Sequence, residues 1–177
     1  MSKMQFLGMA TLFEGGLLLL ALGLGRFFDI DPLATLHGDS ESVFLAVAAT
    51  VPLYGFLRIT PHIPSLRVLL YLGFLAGTTE EVLFRGFIQP WLEVMWGAMG
   101  GLIFSNLIFA LLHWITPIYG LVAGLLGAYL GFTLDLGPER DLTIPLLVHA
   151  LYDFLALQAV AGLWRQAEIQ RAGYQRD

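Results

Sequence analysis

The chain has 177 residues, 57% of them hydrophobic and only 13% charged, with a mean hydropathy of +0.74; soluble domains average about 25% charged residues, so a water-soluble protein is excluded. The net charge of −5 says little about partners, because most of the acids fall in loops or in one buried cluster, and no nucleic-acid partner is expected; the absence of cysteine excludes disulfides, thiolate metal sites and a cysteine nucleophile. At about 20 residues per span plus short loops, this length holds at most six or seven helices, which predicts a single all-α membrane domain over residues 1–177 with no room for a soluble one.

Six transmembrane helices are predicted, at about 5–27, 42–59, 66–95, 98–115, 118–134 and 142–164. The first is too long and too weakly basic for a cleaved signal segment, and its Glu14 is expected to snorkel or to hydrogen-bond within the bundle. Turn signals at Asp29–Asp31–Pro32 and Gly38–Asp39–Ser40 close it, and Pro61–His62–Ile63–Pro64 closes the second.

The third span contains Thr78–Thr79–Glu80–Glu81–Val82–Leu83–Phe84–Arg85–Gly86. Glu81 and Arg85 stand four apart, one helical turn above each other, where they can pair and so lower the cost of burying both. That spacing predicts a structural role for the two. Glu80 points about 100° away with no local partner, so another helix must neutralise it or it must stay protonated, the condition a general acid/base needs near neutral pH. Measured from an entry near residue 66, Glu80 lies about 20 Å along the helix, past the bilayer middle. A tilt, or a break near Gly86 to Pro90, is then needed to bring it level with groups on other spans.

Gly97 with Gly100–Gly101 ends the third span, and the fourth carries Asn106, Phe109 and His113 on one face. Thr116–Pro117 precedes the fifth, whose Gly120, Gly124, Gly127 and Gly131 are small residues that let helices approach closely. After Gly137–Pro138–Glu139–Arg140–Asp141, the sixth span holds His149 and Asp153, again four apart, and a polar tail after Trp164 leaves the membrane. Trp91, Trp96, Trp114 and Trp164 lie near span ends, where interfacial tryptophans belong. Lys3, Arg58, Arg67, Arg165, Arg171 and Arg176 share one side, against Arg26 and Arg140 on the acid-rich other, which predicts cytoplasmic termini; the membrane expected is the plasma (inner) membrane.

The order Glu-Glu-x-x-x-Arg, Phe-x-x-x-His, His-x-x-x-Asp, each on its own span, resembles the CPBP family: type II CAAX prenyl endopeptidases and the related bacteriocin-processing, abortive-infection-like membrane proteases. The matching positions are Glu80, Glu81 and Arg85, then Phe109 and His113, then His149 and Asp153, with Phe84–Arg85–Gly86 as a further likeness. The motif-bearing core would cover about 42–164. The resemblance implies an intramembrane endopeptidase in which Glu80, helped by His113, activates water while His149 and Asp153 steady the oxyanion. Glu81, Arg85, Asn106 and Phe109 support them. The family's last motif commonly ends in asparagine; an ionised aspartate cannot donate to an oxyanion, although a protonated one can.

Two nitrogens and two oxygens from Glu80, His113, His149 and Asp153 would also suit Zn²⁺, so a zinc protease competes with this reading, although the compact H-E-x-x-H pattern is absent and no cofactor is favoured. A rhomboid-like serine enzyme lacks its Gly-x-Ser-Gly loop, and an aspartyl enzyme its second intramembrane aspartate. Buried carboxylates and histidines would also serve a proton-coupled transporter, and a non-catalytic membrane partner protein could keep the same helices. The expected partners are membrane lipid and a membrane-bound protein or peptide substrate.

Overall fold

The computed structural model describes residues 3–54 and 66–174. Among them every regular element is helical: α1 (Lys3–Phe27), α2 (Ser40–Tyr54), α3 (Leu66–Glu81), a π-helical segment (Val82–Ile88), α4 (Gln89–Leu112), α5 (Pro117–Thr133) and α6 (Thr143–Tyr174). The all-α expectation holds, but the six separate helices do not. Five continuous helices are present, because α3, the π segment and α4 run into one another without a loop. The turn expected between the third and fourth spans is made inside the helical run, at Gly97 (φ 71°, ψ 172°), a conformation that side chains with a Cβ rarely adopt. Met4–Phe27, Val68–Leu112 and Thr143–Ala172 are long and apolar enough to cross a membrane, and α5 is a shorter apolar helix. The chain is an integral membrane protein. The predicted end of the second span, the Pro61–Pro64 turn, Arg58 and Arg176 lie outside the described residues.

Near Gly86 to Pro90, where a break is one of the two ways to bring the groups level, the helix widens instead. Gln89 N–H bonds to the Phe84 carbonyl, five residues back. Pro90, with no N–H to give Gly86, follows directly, so the wider turn absorbs the lost bond without ending the helix.

The α3–α6 pair is the most extensive contact in the bundle, with α2 against α6, α1 against α3 and the π segment, and α5 against α4. Gly77 sets the distance: a Cβ there would stand 2.6 Å from the Ala150 nitrogen, so the two backbones touch. This contact holds Glu81 level with His149. Apolar residues fill the interior in two groups, one around Phe84, Phe87, Phe109 and Ala123, the other around Ala46, Leu130, Ile144 and Val148. Leu12, Phe13, Phe74, Ile103 and Leu125 point outward, as a lipid-facing surface requires. On α5, Gly127 and Gly131 lie against Asn106 and Leu102 of α4, the close packing their spacing predicts.

Opposite the termini, two polar loops are tied together. Leu142 N–H donates to Thr35 O (2.8 Å), and the Thr143 hydroxyl accepts from His37 N (3.1 Å) and Gly38 N (2.8 Å). Arg140 bridges Glu93 (2.6 Å) and Asp135 (2.9 Å), fastening the loop before α6 onto α4. Burial pushes the Asp141 carboxyl up, but hydrogen bonds from Ser42, Thr143 and His37 outweigh it and hold the group below its ordinary 3.8.

Gly77→Ala is expected to lower the thermal unfolding midpoint in detergent, at a cost of about 1–3 kcal/mol for overpacking, whereas Gly8→Ala, where a Cβ meets nothing within 4 Å, leaves it unchanged. Because Asp141 is depressed in the folded state, the stability it contributes is present above about pH 4 and is lost as pH falls through its folded value. Asp141→Asn should therefore lower the midpoint at pH 7 and reduce its further fall between pH 7 and pH 3, as read by thermal melts across that range.

Candidate active site

Glu81 is fully buried and Arg85 nearly so. The spacing of four brings Arg85 Nη1 to 3.1 Å from Glu81 Oε1, as the sequence predicts. The same Oε1 also lies 2.8 Å from His149 Nδ1 on α6. Arg85 Nη2 donates to Asn106 Oδ1 on α4 (3.1 Å) and to the Gly127 carbonyl on α5. Asn106 completes the link by donating to Leu102 O at 2.6 Å. One guanidinium therefore joins three helices, and its Cζ sits 5.2 Å from the Phe109 ring centre, within cation–π range.

Glu80, one residue earlier, turns away from this pair toward the two histidines. Its Oε2 lies 3.8 Å from His113 Nε2 and 4.0 Å from His149 Nε2, and His149 Nε2 lies 3.6 Å from Asp153 Oδ2. The ionisable groups nearest to it thus come from other helices. Both rings are held by their far nitrogens. His113 Nδ1 lies 2.9 Å from the Phe109 carbonyl, which can only accept, so that nitrogen carries a proton and Nε2 is the one that faces Glu80. The ring also stacks on Phe109, 4.2 Å between centres at 23°. His149 is fixed likewise by the Glu81 carboxylate, a second outer partner of the kind that sets ring orientation at working sites.

Glu80, His113, His149 and Asp153 line one cavity of about 200 Å³, whose other wall is α5 with Tyr119, Val122, Ala123, Leu126 and Leu130. The His113 and Asp153 side chains are each 27% exposed into it, and Glu80 17%. Depth is reconciled by lengths rather than by a break beside Glu80: the arm from Gly97 to His113 is as long as the arm from Gly97 back to Glu80, at about 24 Å each by the helical rise. Tyr119 and Tyr152 also border the cavity, and sequence reasoning misses both. Tyr152 carries a signal, since it lies three residues after His149; Tyr119 carries none. Glu14, outside the cavity, accepts a hydrogen bond from the Thr79 hydroxyl, the in-bundle role expected of it.

Glu80 Oε2 is buried without a hydrogen-bond partner, which is what a metal ligand would look like. Tetrahedral zinc with bonds of about 2.0–2.1 Å holds its ligand atoms about 3.4 Å apart. The separations of 3.8 and 4.0 Å from Glu80 to the two histidines are too wide for that. Among the described residues no group of three or more His, Cys, Asp or Glu side chains is arranged to hold a metal ion.

The family model described as type II CAAX prenyl endopeptidase Rce1-like matches residues 62–155, more than half of the chain. That stretch includes Glu80, Glu81, Arg85, Asn106, Phe109, His113, His149 and Asp153. No curated protein and no solved structure matches the chain.

Arg85→Leu leaves the Glu81 charge buried opposite an apolar group and is expected to cost about 3–5 kcal/mol. The double variant Glu81→Gln/Arg85→Leu should recover part of that loss. Equilibrium unfolding of the three proteins in one detergent measures the difference.

Proposed function

Because the chain belongs to the Rce1-like family of type II CAAX prenyl endopeptidases, we propose that it is an intramembrane endopeptidase whose general base is Glu80. The observation behind this reading is that two imidazoles on separate helices aim Nε2 at one oxygen of Glu80 from 3.8 and 4.0 Å. Such distances suit a water bridging the groups better than direct hydrogen bonds. The Glu80 carboxylate takes a proton from the water as its oxygen attacks the peptide carbonyl carbon. His113, whose Nε2 faces Glu80, helps to carry that proton to the departing amine nitrogen as the C–N bond breaks. The products are a carboxylic acid and an amine.

His149 is the group assigned to the oxyanion. Its Nδ1 is engaged by Glu81, and with carboxylates of Glu81, Asp153 and Glu80 around it an imidazolium is electrostatically compensated, free to donate from Nε2. Asp153, an acceptor when ionised, acts through His149 by balancing that charge, which gives aspartate a use where the family commonly has asparagine. The mechanism assigns no metal. The family name points to prenylated C-terminal segments of membrane-associated proteins as the substrate class. The positive-inside rule favours a cytoplasmic side for the end of α6 that carries Arg165 and Arg171, against Asp29, Asp31, Asp135, Glu139 and Asp141 on the other side.

Purified protein in bilayers, given a membrane-anchored peptide library that includes prenylated members, is expected to cleave some of them. Glu80→Gln should reduce the rate by about 10²–10⁴-fold, and a strong chelator should leave the wild type unaffected. Equal rates for wild type and Glu80→Gln would sink the assignment. Loss on chelation, restored by Zn²⁺, would replace it with the metal enzyme.

A further inference from the structure

The hairpin formed by the second arm of α4 and by α5 stops at the level of Glu80, while its neighbours continue. His113 and His149 both stand within 4.0 Å of Glu80 Oε2, so α3, α4 and α6 are level there. From that level α3 runs on to Arg67 and α6 to Arg165 with no Asp, Glu, Lys or Arg between, apart from Asp153 in the site itself. At 1.5 Å per residue these are about 20 Å of further helix from Glu80 and about 24 Å from His149, or about 18 Å beyond Asp153. By contrast α4 ends at Leu112 and α5 begins at Pro117. In a hydrocarbon layer about 30 Å thick, the turn between them lies near the middle, well short of the face marked by Arg67 and Arg165.

Two independent features of the turn fit that position. From Val94 to Leu134 there is no Asp, Glu, Lys or Arg, and the residues at the tip are apolar yet strongly exposed: Leu112 at 71%, Ile115 at 82% and Ile118 at 76%. A turn facing water is ordinarily polar. Several of its backbone amides are also paired from within the turn. His113, Trp114 and Ile115 donate to Phe109 O, Leu111 O and His113 O, Gly120 donates to Thr116 O, Tyr119 N–H is capped by the Thr116 hydroxyl at 3.1 Å, and Pro117 has no N–H. Hydrocarbon favours such internal pairing, since it offers no water to an unpaired amide.

We propose that this segment is a re-entrant hairpin. It enters from the face of the 28–39 and 134–142 loops, turns back in mid-bilayer, and lays Leu112, Trp114, Ile115 and Ile118 against lipid acyl chains, so that Trp114 is not the interfacial tryptophan its place near a span end predicts. His113 is thereby presented to Glu80 from inside the membrane, and the hairpin makes no complete crossing. A substrate extended from the Arg67 and Arg165 face must reach in by about five or six residues at 3.3 Å each to meet the site. The inference concerns placement in lipid and does not depend on the chemistry at Glu80.

The chain has no cysteine, so single replacements need no background removed. Ile115→Cys and Ile118→Cys are spin-labelled in lipid bilayers beside Ala167→Cys, beyond Trp164 on α6, and Glu139→Cys in the opposite loop. At positions 115 and 118 oxygen collisions are expected to exceed those of a water-soluble nickel chelate, with the reverse at 167 and 139. Membrane-impermeant maleimide should modify the unlabelled Ile115→Cys and Ile118→Cys proteins at least tenfold more slowly than Ala167→Cys, with full modification of all of them in sodium dodecyl sulfate. Nickel-dominated collisions at both tip positions, or modification within tenfold of Ala167→Cys, would overturn the proposal, because the turn would then emerge at the surface.

Discussion

One carboxylate oxygen, Oε1 of Glu81, receives both Arg85 from its own helical run and His149 from α6. The remaining parts of the site take their places from this double contact. Arg85, anchored there, reaches Asn106 on α4 and the Gly127 carbonyl on α5, so every helix that borders the cavity is referred to the same buried charge pair. An isolated charge in this interior would cost several kcal/mol, and the same cost makes the arrangement specific. Sliding any one of these helices by a turn would strand a charged group in hydrocarbon. His149 gains its ring orientation as a consequence, with Nε2 left to face Glu80 and Asp153.

The neighbouring glutamates thus divide their work by direction. Glu81 looks toward Arg85 and His149; Glu80, about 100° around the helix, looks into a cavity of about 200 Å³. The structural carboxylate is doubly bonded and buried, while the proposed base has imidazoles only at longer range. Adjacent positions could serve opposite ends because a helix separates consecutive side chains so widely. Phe109 serves both sides, packing under the Arg85 guanidinium and stacking on His113 while its carbonyl holds Nδ1 of that ring.

Close backbone contact makes this register possible. With Gly77 against Ala150, α3 and α6 approach far enough for Glu80 and Glu81 of α3 to meet the His149 imidazole across the interface. A re-entrant α4–α5 hairpin would add a second advantage: the chain delivers His113 to the site's depth by ending a helix there, with no need to thread a histidine through the middle of a full span.

The sequence by itself determined the membrane class, the all-helical fold, the Glu81–Arg85 pair, the shared face of Asn106, Phe109 and His113, and the family. These follow from composition, from spacings of three and four that are local properties of a helix, and from the order of the motifs along the chain. Three things were decided only by tertiary structure. The fusion of the third and fourth predicted spans was hidden because Gly97 signals a turn whether it lies in a loop or inside a helical run. The tie of Glu81 to His149 joins residues 68 positions apart, and no spacing rule connects them. The common depth of Glu80, His113 and His149 depends on where each helix starts and stops relative to its neighbours, which is set by backbone contact between helices and leaves no periodic trace in the chain.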